Sequence, residues 1–139
     1  MLASEREPLR EGAALMDRWM QRGADLAGSP AVLWEDMTWT GLRALRETGC
    51  GLVILPVGAT EQHGPHLPVS TDSAIASGVA AYASARTGAP VLPTLRYGVS
   101  VGHTREWPGT LSVMHETLAT LLRELVGWLT PHGWRRVLI

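Results

Sequence analysis

Three short apolar runs constrain this chain more than any other feature: LVILPV at 52–57, PVLP at 90–93 and RRVLI at 135–139. Each is too short for a helix, and each is apolar where a buried strand must be. Between them lie segments with helical spacing, DSAIASGVAAYASARTG (72–88) and SVMHETLATLLRELVGWLTPHG (112–133). Strands alternating with helices predict an α/β fold with a mostly parallel central sheet flanked by helices. In such a sheet the functional site lies at the carboxyl ends of the strands.

The helices carry readable boundaries. WEDMTWTGLRALRETG predicts a helix from about Thr38, with Leu42 and Leu45 inward and Gly49 past its end. The 72–88 segment predicts Asp72 at the N-cap, Ile75, Val79 and Tyr82 on one face, and Gly88 closing the helix. The third helix turns Leu118, Leu121, Leu122, Leu125 and Leu129 toward the core and ends at His132-Gly133. Upstream, Leu9, Ala13, Met16, Met20 and Ala24 recur at helical spacing over 9–27, before GSP breaks the chain. Residues 1–30 are thus a helical extension, and 31–139 form the α/β part.

A chain of 139 residues with 45% apolar content suits one domain with a real core. A net charge of −1, with scattered Lys and Arg, gives no electrostatic case for nucleic acid or an anionic membrane. No apolar run approaches a bilayer span, and MLASEREPLREG has no apolar signal core. Cys50, the single cysteine, excludes an internal disulfide and fits a reducing compartment, so a cytoplasmic protein is expected.

The chemistry concentrates in PVGATEQHGPHLPVSTD, Pro56 to Asp72. Its Pro and Gly residues exclude a regular helix. Glu61 and His63 are two apart, so an extended backbone projects both to one side. Asp72 follows at the mouth of a helix. Two carboxylates and an imidazole at a strand end form a mixed oxygen and nitrogen donor set suited to Zn2+ or Mn2+. Each residue also has a plain structural use: Asp72 as a helix cap, Glu61 as a solvated charge, His63 as a hydrogen-bonded core histidine. His66 serves equally to orient another group or to bind metal. The loop contains no P-loop and no GxGxxG, so nucleotide binding has no support. The second loop, LRYGVSVGHTREWPGT, crowds His103, Arg105, Glu106 and Trp107 before Pro108-Gly109, and its length suits a binding loop. The two loops are expected to face each other across one crevice.

PVGATEQHGPHLPVSTD resembles the signature of the creatininase (creatinine amidohydrolase) family. The likeness continues through VLPTLRYGVSVGHTREWPGTLSV and ETLATLLRELVGWLTPHGWRRVLI, roughly residues 31 to 139. It implies a metal-dependent hydrolase, often hexameric, that cleaves a C–N bond of a small amide or cyclic amide through a metal-bound water. By that resemblance Glu61 binds one metal, His63 the other, and Asp72 bridges them. Zn2+ and Mn2+ are the expected ions, and Fe2+ also fits the donors. His103 and Trp107 would line the pocket. The resemblance further implies a His in a turn after the RRVLI strand and a Glu beyond it, neither within residues 1–139. The chain stops inside an apolar strand, so it reads as the N-terminal portion of a longer hydrolase, truncated after the third strand. The alternative is an inactive α/β domain that acts as an assembly or binding partner.

Overall fold

The computed structural model describes the backbone of residues 7–139 and the side chains from residue 17 onward. The elements in order are α1 (Glu7–Ala27), α2 (Trp39–Glu47), β1 (Leu52–Ile54), α3 (Thr71–Thr87), α4 (His115–Leu129) and β2 (Arg136–Leu138), with single 3-10 turns between some of them. No helix among the described residues is long and apolar enough to cross a membrane.

β1 and β2 pair in parallel, Val53 opposite Val137. Two further tracks extend the sheet through isolated parallel bridges, Ile54 to Val91 and Val91 to Leu33. The backbone bonds run in sequence: Ile54 N–H to the Pro90 carbonyl at 2.9 Å, Leu92 N–H to Ile54 at 2.8 Å, and Val91 N–H to Val32 at 2.8 Å. All three apolar runs are therefore parallel tracks of one sheet, as expected, with the 90–93 run between β1 and an outer track at Leu33. That outer track had no sequence signal, because two apolar residues before Trp34 make no period. The 52–57 run is also not one continuous strand. Pro56 has no N–H to give, so the ladder ends at Ile54 and resumes as a single bridge from Val57 to Leu95.

Successive residues of β1 face opposite sides of the sheet. Val53 packs with Leu129 and Trp134, flanked by Trp34, Leu45 and Cys50. Ile54 packs with Ala80, Ala89 and Val91. Helices thus cover both faces, α3 on one side and α2 with the end of α4 on the other. Trp34 and Trp134 meet edge to face, ring centroids 5.4 Å apart, on the α2/α4 side. Beside them a groove of about 950 Å³ opens between α2 and α4, lined in part by Trp39, Arg43 and Trp128.

Helix boundaries follow local chemistry. Thr38 caps α2 by accepting from Gly41 N–H at 3.2 Å. Gly88 and Gly133 end their helical segments at positive φ, 72° and 87°. Asp72, however, is not the cap of α3: Ser70 holds that position and Asp72 lies in the first turn, which frees its carboxylate. The buried side of α3 also differs from expectation. Ile75, Val79 and Tyr82 share a face, but that face is exposed, and Ser73, Ala74, Ser77, Ala80, Ala81 and Ser84 are buried instead. Hydrophobic spacing hid this, since the buried serines are each hydrogen-bonded: Ser73 donates to the Ala59 carbonyl, Ser77 to the Ser73 carbonyl, and Ser84 accepts from Val32 N–H. In α4 only Leu129 is buried; Leu118, Leu122 and Leu125 are half-buried and Leu121 is exposed.

α1 lies against α3, and Gly23 and Gly78 permit the approach, because a Cβ on either would strike the other helix's backbone. The side chains of Leu9, Ala13 and Met16, expected on the apolar stripe of α1, fall outside the described residues.

Gly58 sets the distance between β1 and α3. A Cβ there would lie 2.5 Å from Ser73 Cα and 2.7 Å from its nitrogen. Gly58→Ala is expected to lower stability by about 1–3 kcal/mol through overpacking, read from the urea midpoint, and to shift the amide resonances of Asp72 and Ser73. An unchanged midpoint with unshifted resonances would show that the junction is slack.

Candidate functional site

The 58–71 loop leaves β1 at its carboxyl end and is pinned along its length. Gly58 N–H bonds Leu95 at 2.8 Å, Glu61 N–H bonds the Val69 carbonyl at 2.9 Å, and Leu111 N–H bonds Thr60 at 2.9 Å. Gln62 N–H donates to the buried Thr110 hydroxyl at 3.0 Å. The two loops therefore lie directly against each other beyond the end of β1, where the strand-end argument places a site.

His63 and Asp72 meet there. His63 Nδ1 lies 2.9 Å from the Glu61 carbonyl and Nε2 lies 3.2 Å from Asp72 Oδ1. A carbonyl oxygen only accepts, so Nδ1 carries a proton. Nε2 then either carries a second proton or turns a lone pair toward a carboxylate. The first case raises the His63 pKa above its ordinary value. The backbone bond to Glu61 is the main cause, burial acts against it, and the charges of Asp72 and Glu61 add to it. In the second case two acceptors confront each other, a contact that a divalent cation resolves by binding both. His63 with its outer nitrogen on a carbonyl has the arrangement of a metal-ligating histidine, so this pair fits a cation. Among the described residues no group of three or more His, Cys, Asp and Glu side chains gathers around one point.

Glu61 belongs to a second pair. Its Oε2 accepts from the Ser100 hydroxyl at 2.7 Å and its Oε1 lies 3.2 Å from His103 Nδ1. Glu61 and His63 thus take different partners, His63 facing Asp72 and Glu61 facing Ser100 and His103. His103 is tilted against Trp107, ring centroids 5.7 Å apart, so the two side chains form an aromatic wall beside Glu61. His66 is exposed and lies close to Gly64. Gln62, Ser100 and Thr110 also belong to the site and carry no sequence signal as isolated polar residues. Only their position opposite the loop of Glu61 and His63 could have marked them. Glu61, His63 and Asp72 are not among the residues that line the α2/α4 groove.

A family profile described as creatinine amidohydrolase matches residues 35–139. A creatinine amidohydrolase of Pseudomonas putida is 33% identical over 115 residues, covering 80% of this chain and 44% of that protein. A mycofactocin precursor peptide peptidase of Mycolicibacterium smegmatis is 46% identical over 79 residues, covering 52% of this chain and 32% of its own. A solved manganese form of creatininase superposes with a TM-score of 0.72 at 33% identity, over 77% of this chain and 43% of that one. The chain thus spans less than half the length of the curated relatives it matches.

The His63 pair has a pH signature in the metal-free protein. The folded ring gains partners in its charged form, so its stabilisation is complete below the unfolded value near 6.5 and fades as pH rises through the higher folded value. NMR titration is expected to place His63 above 6.5, and Asp72→Asn to lower it while the Glu61 carbonyl keeps part of the elevation. A His63 that titrates at or below 6.5 would contradict the geometry.

Proposed function

This chain belongs to the creatininase family, and from that premise we propose that it carries metal-binding residues of a hydrolase that cleaves a C–N bond in a small amide, cyclic amide or peptide. The observation that carries the reading is His63 Nε2 facing Asp72 Oδ1 at 3.2 Å while Nδ1 is held by a backbone carbonyl. Asp72 and His63 hold a divalent cation, Zn2+ or Mn2+ by the hardness and geometry of their donors. Glu61 would supply a carboxylate to a second cation, and Asp72 has a second oxygen that it could offer to either. When bound, the cations polarise the scissile carbonyl and acidify water. Hydrolysis then places oxygen on the carbonyl carbon and protons on the departing nitrogen.

The remaining residues position. Ser100 holds one Glu61 oxygen by a 2.7 Å bond, which limits the carboxylate to a small rotation. His103 and Trp107 form a flat wall suited to a planar amide or ring. A second reading, a domain without turnover that serves as a binding partner, is favoured by one observation. Only two of the candidate ligands converge on one point.

Calorimetric titration with Zn2+ and an assay on creatinine and short peptide amides test both readings. The chain is expected to bind Zn2+, and His63→Ala or Asp72→Ala to weaken binding by at least about 100-fold, no less than the loss of a supporting group around a metal. Binding that survives both substitutions would sink the metal assignment. Binding without hydrolysis would favour the second reading.

A further inference from the structure

Gln62 stands between Glu61 and His63 in sequence, and its side chain joins the two loops. Its Oε1 accepts from Gly64 N–H at 3.0 Å and its Nε2 lies 3.2 Å from His103 Nδ1. Because Gly64 occupies the carbonyl end, the amide is oriented with its NH2 group toward the imidazole. The backbone N–H of Gln62 is anchored separately on Thr110. His103 needs such a tie. It ends a single 3-10 turn, Val101–His103, and its side chain is 45% exposed. Its other polar contact is Glu61 Oε1, at 3.2 Å. His103 Nδ1 cannot satisfy a carboxylate and an amide donor with one lone pair or one proton. On the metal reading above, on which the role of this contact rests, Glu61 turns to a cation and gives up its claim on the ring.

We propose that Gln62 is a positioning residue: one amide clasps the loop of His63, through Gly64, to the loop of His103, so the His103–Trp107 wall keeps its place when Glu61 is engaged by metal.

The clasp is testable without metal. Hydrogen exchange at His103 N–H and Thr104 N–H, which close the 3-10 turn onto Ser100 and Val101, is expected to quicken about tenfold in Gln62→Ala, with Ile54 and Leu92 unchanged. His103→Ala is expected to produce the same loosening, and Gln62→Ala in that background to add nothing, because the two residues share one contact. A purely local role for Gln62 in its own loop would give additive effects instead. Gln62→Met keeps the side-chain length without the amide and repeats the measurement if the alanine variant unfolds. Additive effects, or unaltered exchange in the single variants, overturn the proposal. Zn2+ titration of the unsubstituted chain decides the metal reading separately. Coupled exchange with no Zn2+ binding sinks that reading and leaves the clasp standing.

Discussion

The site depends on a close backbone crossing at Gly58. On one side Ser73 at the start of α3 comes so near that no Cβ fits, and on the other Gly98 packs its α-carbon against the Gly58 carbonyl. Ser73 then reaches back to the Ala59 carbonyl with a 2.9 Å bond. The end of β1, the first turn of α3 and the second loop are thus fastened within one peptide of each other. That brings Asp72, Glu61 and His103 close together through His63 and the Glu61–His103 contact, although the sequence separates Glu61 from His103 by a whole helix. A longer side chain at position 58 would hold the three parts apart.

Around that crossing the electrostatics are arranged in pairs. His63 faces Asp72, and Glu61 faces Ser100 and His103. In each pair an imidazole nitrogen lies 3.2 Å from a carboxylate oxygen, a juxtaposition of the two side-chain types that bind protons most readily near neutral pH. The buried side of α3 is rich in serine. Its short side chains close their own hydrogen bonds, as Ser77 does with Ser73 and Thr94, and let the helix lie tight on the sheet.

Much of this was legible beforehand. The three apolar runs, the α2 boundaries, the end of α3 at Gly88 and the turn at Gly133 follow from local rules of burial, capping and glycine conformation. Glu61, His63, Asp72, His103 and Trp107 stood out because titratable and aromatic side chains clustered in two loops at strand ends. The inward face of α3 was not legible, because buried serines at helical spacing look polar. Nor was the Leu33 track, whose pairing partner lies far along the chain.

What the sequence determined alone was the α/β alternation, the glycines at which helices end, and the residue types able to hold a divalent cation. Those are local properties, set by side-chain volume, backbone freedom and donor chemistry. Only the tertiary structure decided that Asp72 stands free of the helix cap, that His63 pairs with it while Glu61 pairs with His103, and that Gln62 spans the gap. Those choices depend on distances between residues far apart in sequence. A close approach of backbones at Gly58, Ser73 and Gly98 sets those distances, and no local pattern encodes it.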